Sequence, residues 1–195
     1  MDARDKHSLH STLRENIVEH LFIGEILRRL WEWGIVDAEV LKSEFDAGGY
    51  DLVLTCQTVT RHIQLKVGRV TGSRDEVSVN LRLAEKPSGC VIWILVDDDL
   101  HRKHFRWFGH PPGQPLPEVS TMPVARHAKG TGIGIKNERP NHRIVKRTSF
   151  KQVDDLDGLL FELSGTDILR PDANLTYVSA ARSQDFLYDA NGMPL

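Results

Sequence analysis

The sequence predicts an α/β fold: a mixed β-sheet flanked by α-helices. Three observations carry that prediction. Residues 11–33 repeat apolar side chains at helical spacing. Residues 38–67 break into three short runs with strand character. Residues 90–96, Cys-Val-Ile-Trp-Ile-Leu-Val, are apolar throughout, as expected of a strand covered on both faces.

The first element rests on Leu13, Ile17, Leu21, Phe22, Ile26, Leu27, Leu30 and Trp31. They cover most of the helical circumference, so the helix is expected to be largely buried. Ser11 or Thr12 is placed to cap it, with Glu15 near the capping-box position, and Gly34 to end it. Strands are expected at 38–44, 50–55 and 60–67, the last two joined by a hairpin through 56–59. In the third, Ile63, Leu65 and Val67 alternate with His62, Gln64 and Lys66, giving one apolar and one polar face. Residues 68–76 form a polar loop. Ser78 then opens either a short helix to Lys86, stopped by Pro87, or a strand through Val79 and Leu81. A further strand is expected at 104–108, a proline-rich surface loop at 111–123 and a basic, glycine-containing segment at 124–147. Val153, Leu156, Leu159, Leu160 and Leu163 give residues 152–163 an amphipathic helical pattern, ended by Gly165. Residues 1–165 are thus expected as one domain. Residues 166–195 are a tail that docks on the body or on a second subunit.

The chain has 195 residues, 40% of them hydrophobic and 27% charged, which fits an ordinary soluble globular protein. Its formal charge of −2 requires any nucleic-acid partner to be held by a local patch. Cys56 and Cys90 flank apolar runs and read as buried thiols of a cytoplasmic protein. The first residues are polar and charged, so no secretory leader is expected. The longest apolar run, seven residues, falls well short of the ~20 that span a bilayer.

The chemistry concentrates in Asp46-Ala47-Gly48-Gly49-Tyr50-Asp51 and in Gln64-Leu65-Lys66. Hydrolysis of a phosphodiester needs an activated water and neutralisation of charge on phosphorus. A magnesium ion supplies both with one or two carboxylates and a neutral oxygen as ligands. Asp51 is the first choice of metal ligand, with Asp46 as the alternative. Gln64 offers an amide oxygen and Leu65 its carbonyl, while Lys66 would contact the scissile phosphate or orient the water. Gln64 and Lys66 share a face, and a hairpin in the right register sets Asp51 opposite them, although the sequence does not fix that register. Glu25 lies among Val18, Leu21 and Phe22, where a carboxylate is costly unless paired or metal-bound. It reads as support for the site, or as a rim acid paired with Arg28 or Arg29. Glu19, near Ile26 and Leu30, is the other acid open for the supporting role.

These residues resemble the PD-(D/E)xK nuclease superfamily, and within it the Mrr-like restriction endonucleases. That group has a helix bearing a glutamate, then a glycine, an acidic turn, and Q-x-K in place of E-x-K. The matching residues here are Glu25, Gly34, Asp46 to Asp51, Gln64 and Lys66, over roughly residues 12–96. The turn is one residue longer than the group's usual one. The resemblance implies a restriction-endonuclease-like sheet and a Mg²⁺- or Mn²⁺-dependent endonuclease acting on double-stranded DNA. Restriction or anti-phage defence, or DNA repair, is the setting it implies. A homodimer would serve cutting of both strands, and the lack of an obvious recognition domain leaves room for a targeting or regulatory protein. A non-catalytic nucleic-acid-binding module on the same fold and an RNA nuclease are the alternatives.

Residues 126–147 hold seven Lys and Arg against Glu138 alone. Lys129, Lys136, Arg139 and Arg143 could follow a phosphate backbone, with glycine amides allowing close approach. The plainer reading is a solvated basic loop.

Overall fold

The computed structural model describes residues 9–45, 48–127 and 137–165. Helix α1 (Ser11–Glu32) leads into strands β1 (Ala38–Lys42), β2 (Leu52–Cys56) and β3 (Val59–Arg69). Next come β4 (Glu76–Asn80), a 3-10 turn (Leu81–Glu85), β5 (Gly89–Val96) and β6 (Arg102–Gly109). Strands β7 (Val124–Arg126) and β8 (Glu138–Lys146), a second 3-10 turn (Arg147–Ser149), β9 (Lys151–Val153) and α2 (Leu156–Ser164) complete the described chain. Six strands make one mixed sheet in the order β1-β2-β3-β5-β6-β9, and three make a second, β4-β8-β7. In the larger sheet only β3 and β5 run parallel. The α/β class is as the sequence predicts.

The alternation of the strands divides the core in two. Leu52, Leu54, Ile63, Ile92, Ile94 and Phe105 face the helices, where Val18, Phe22, Ile26 and Leu30 of α1 and Leu159, Leu160 and Leu163 of α2 meet them. Val91, Trp93, Leu95 and Phe108 point the other way, onto Val77, Val79, Leu83, Val145 and Phe150 of the second layer. All eight residues of β5 are therefore buried, which explains its unbroken apolar run. Burial also raises the Cys56 thiol to about 11 and the Cys90 thiol to about 12, so neither serves as a nucleophile near neutral pH.

Among the described residues Arg61 is the one charged side chain in the helix-side core, 1% exposed. It donates to the carbonyls of Leu163 (2.5 Å), Glu162 (2.7 Å) and His110 (2.9 Å) and lies over Trp107. It thereby satisfies the last turn of α2, where a cation also meets the negative end of the helix.

Several expectations are corrected. Helix α1 buries only one face; Leu13, Leu21 and Trp31 are 57%, 52% and 72% exposed, because no described element covers the outer side. Its N-cap is His10, with no side-chain cap, rather than Ser11 or Thr12. Residues 78–86 are neither purely helix nor purely strand: β4 ends at Asn80, whose side chain caps the 3-10 turn through the Arg82 amide. Arg139 and Arg143 lie on strand β8, not in a loop, because β8 pairs with β7 and β4. The tail 166–195, Asp46, Lys129 and Lys136 fall outside the described residues. Among the described residues no helix is long and apolar enough to cross a membrane.

Candidate active site

A cleft opens where two strands part. Strand β2 stops at Leu52, paired with Ile63, while β3 continues to Arg69. One step beyond that pair Asp51 comes level with Gln64, and its N–H donates to the Ile63 carbonyl at 2.9 Å. The Asp51 carboxylate then accepts the Leu65 N–H at 2.6 Å, in place of the missing ladder partner. Backbone N–H and C=O of one strand residue leave on the same side, so the Leu65 carbonyl opens on this edge too.

The glycines of the turn seat this geometry. Gly49 has φ +75°, and a Cβ there would come within 3.0 Å of Asn80 and of the Leu83 backbone. Only glycine lets the chain pass so close to the second layer before Asp51 enters the sheet.

The first turns of α1 close the other side. The cleft, about 320 Å³, is lined by Glu15, Asn16 and Glu19 of the helix, and by Asp51, Leu65, Lys66 and Val67 of the sheet. Arg74, from the loop before β4, and Ser78 of β4 complete it. The Glu19 side chain is 16% exposed, and its Oε1 lies 2.5 Å from Lys42 Nζ. That contact is an ion pair without hydrogen-bond alignment. Three carboxylates thus face two cations across one opening, with a backbone carbonyl between them.

Three of the residues expected from sequence are brought together: Asp51, Leu65 and Lys66. Two are not. Gln64 is 3% exposed and turned into the second layer, where its Oε1 accepts the Asn80 N–H at 3.3 Å. Glu25 lies on the far flank of α1, lining a separate apolar cleft with Phe22, Ile94 and Leu100. It pairs with Arg102 Nε at 3.1 Å, not with Arg28 or Arg29. Glu19, the alternative acid, takes the place at the cleft. Of the basic residues, Arg139 meets the His142 ring at 2.7 Å. Arg143 is tied to the carbonyls of Ser120 and Pro140.

No family model matches this chain, and no curated protein matches it. Among solved structures it is similar to a bacterial homing endonuclease, I-Ssp6803I, at 18% identity. That likeness spans 64% of this chain and 85% of the other, with a TM-score of 0.32.

Glu15, Arg74 and Ser78 were missed from sequence. A signal for the helical pair was present: Glu15, Glu19, Phe22 and Ile26 follow at helical spacing, so the two acids extend the buried stripe beyond the end of the core. Arg74 sits in a polar loop with no periodicity to mark it.

The donors fit a hard divalent cation. Magnesium asks for oxygen ligands and keeps several waters, and Asp51, Glu19 and the Leu65 carbonyl offer two carboxylates and a backbone oxygen. Among the described residues no group of three His, Cys, Asp or Glu side chains is close enough to form a denser site.

Proposed function

We propose that this protein is a divalent-metal-dependent endonuclease that hydrolyses double-stranded DNA. One observation supports the reading above the others: Glu19, Asp51, the Leu65 carbonyl edge and Lys66 share one solvent-open cleft. Asp51 and Glu19 would hold Mg²⁺ or Mn²⁺, with the Leu65 carbonyl as third donor. Such an ion, when bound, supplies an acidified water and charge neutralisation at the phosphate. Lys66 would place its ammonium on a non-bridging phosphate oxygen and offset the charge that builds there. Arg74, across the cleft, would hold the next phosphate. Gln64 would act indirectly, by fixing β4 and with it Ser78. Arg139 and Arg143 would add positive charge farther along the second sheet.

Cutting both strands calls for two sites, hence a homodimer, and a partner protein would supply targeting. Restriction or anti-phage defence is the setting we propose for such an enzyme, on the strength of the sequence resemblance.

The test is plasmid nicking and linearisation with Mg²⁺ or Mn²⁺, against Lys66→Ala as control and single- and double-stranded RNA in parallel. Metal-dependent DNA cleavage lost in Lys66→Ala supports the reading. RNA cleavage alone would redirect it to an RNA nuclease. One observation favours a second reading, a binding module without catalysis: Lys42 already occupies Glu19. Binding of DNA with no cleavage under either metal selects that reading.

A further inference from the structure

The sheet face that carries Lys66 continues beyond the cleft as a line of cations. Lys66 pairs in register with Trp93, Trp93 with Arg106, and Arg106 with Gln152. At ~4.8 Å between neighbouring strands, the Cα atoms of Lys66 and Arg106 are roughly 10 Å apart. Between them lies Arg147, whose guanidinium is stacked 5.5 Å from the Trp93 ring centroid. His104, paired with Leu95, flanks Arg106 on the same face.

This cluster lacks the acid partner that several other arginines have. Arg28, Arg29, Arg69, Arg102 and Arg126 each pair with an acid. Arg106 and Arg147 have no acid partner among the described residues. Their Nε atoms are buried without a hydrogen-bond partner; Arg106 reaches only Gln152, at 3.5 Å, and Arg147 donates through Nη2 to the Arg74 carbonyl, leaving the remaining N–H groups of both forks. Desolvation, and then the charge of Arg147, lowers the Arg106 pKa; desolvation, and then the charges of the two arginines, disfavour protonation of His104. Asp154 is the acid that opposes this at His104. Two like charges held together, partly desolvated and with unused donors, are complementary to an oxyanion. A phosphate offers acceptors to both planar forks.

We propose that Arg106 and Arg147 form a phosphate subsite, which takes up the backbone of the nucleic acid beyond the cleft that holds Lys66. The choice of nucleic acid as the phosphate source rests on the nuclease reading of the cleft. The span from Lys66 is about three base-pair rises of 3.4 Å, a distance one bound strand covers.

The experiment measures binding of a short labelled DNA duplex in EDTA over a series of salt concentrations. Each lost phosphate contact lowers the slope of log affinity against log salt by about one. Arg106→Gln with Arg147→Gln should weaken binding about tenfold or more and reduce the slope by about two. Arg106→Lys with Arg147→Lys should retain most of the slope. Arg106→Gln alone, at a partly exposed position, serves if the double variant fails to melt cooperatively; its slope should fall by about one. Unchanged affinity and slope in a folded variant overturn the subsite and leave the cleft reading intact. A wild type that binds no nucleic acid but gains thermal stability from inorganic pyrophosphate, lost in Arg106→Gln, retains the subsite and overturns the nuclease reading. No response to duplex or pyrophosphate overturns the subsite outright.

A second inference stands on a different observation, the outer face of α1, and does not depend on nuclease activity. Leu13, Ile17, His20, Gly24, Leu27 and Trp31 follow at alternating spacings of four and three, the seam of a helix pair, and all are exposed. The spacing reads the same from either end. An antiparallel copy would set Leu13 against Trp31, Ile17 against Leu27 and His20 against Gly24, large against small. Packing among the described residues does not require a glycine at 24, since a Cβ there would meet nothing within 4 Å. Yet glycine costs a mid-helix site about 1 kcal/mol relative to alanine. With Leu21 beside it, the seam exposes on the order of 500 Å² of apolar surface, as much as the largest patch of a typical monomer. That is most of the ~800 Å² per partner in a standard interface.

We infer that two copies of this chain pair antiparallel through α1. Light scattering on the intact chain should give the mass of two copies. Gly24→Glu, unobstructed in the protomer, should give one copy that still melts cooperatively. A Gly24→Glu variant that remains dimeric overturns the inference. So does a wild type that stays monomeric at high micromolar concentration, whether solvent or residues 166–195 cover the seam.

Discussion

The Asp51 carboxylate accepts the backbone N–H of Leu65 at 2.6 Å, standing in for a strand that has ended. One side chain thus closes the sheet edge and brings a charge to the cleft. Asp51→Asn keeps an acceptor and removes the charge. Metal-dependent cleavage should fall ~100-fold or more. The denaturation midpoint should stay close to wild type. Equal losses of stability and activity would count against a role in the chemistry.

The two glutamates of α1 should separate cleanly. Glu19→Gln is expected to lower cleavage strongly, because Glu19 lines the cleft with Asp51 and Lys66. Glu25→Gln should leave cleavage near wild type and cost at most about 1 kcal/mol through its half-exposed pair with Arg102. Initial rates on supercoiled plasmid, with melting curves alongside, distinguish the two.

Gln64 is expected to matter for stability. Gln64→Leu leaves the buried Asn80 N–H without its acceptor, a loss of about 1–3 kcal/mol. Urea denaturation at equilibrium measures it. A variant as stable as wild type would show that another acceptor replaces the amide.

Arg61→Leu should be among the most damaging single changes in the chain. It leaves two carbonyls at the end of α2 and that of His110 unpaired, a loss on the order of 3–5 kcal/mol. Arg61→Lys should recover only part of this, since one ammonium does not reach all three acceptors. Equilibrium unfolding of the two variants provides the comparison.

Asp97 offers a test in acid. The hydrogen bond from Lys103, with those from the backbone of His101 and Asp99, lowers its pKa from 3.8 to about 2. The charged form is thus favoured in the folded state. Its stabilisation is fully present above 3.8 and is lost as pH falls through about 2. Asp97→Asn should therefore melt below wild type at neutral pH, and the gap should close in that window. A gap independent of pH would sink the assignment.

The strands were legible because their alternation is physical: Ile63, Leu65 and Val67 had to face a core, and β5 had to be covered twice. The polar face of β3 followed, and with it Lys66. What the sequence concealed was which layer covers each face. Gln64 reads as a ligand only while the second sheet is unknown; once β4 packs there, its amide is taken. The same applies to α1. Its wheel holds two candidate acids on opposite flanks of one stripe, and only the position of β3 tells them apart. The exposure of Trp31 was hidden too, since apolar character does not say what covers a residue.

The cleft draws on residues 15–19, 51, 65–67 and 74–78, and its floor is β3, held in place by a parallel partner at 89–96. Parallel pairing of this kind is non-local and comes late in folding. A chain still emerging from the ribosome therefore has no cleft until Val96 has left the tunnel and β5 has docked. An activity assembled this way stays silent in every shorter nascent chain.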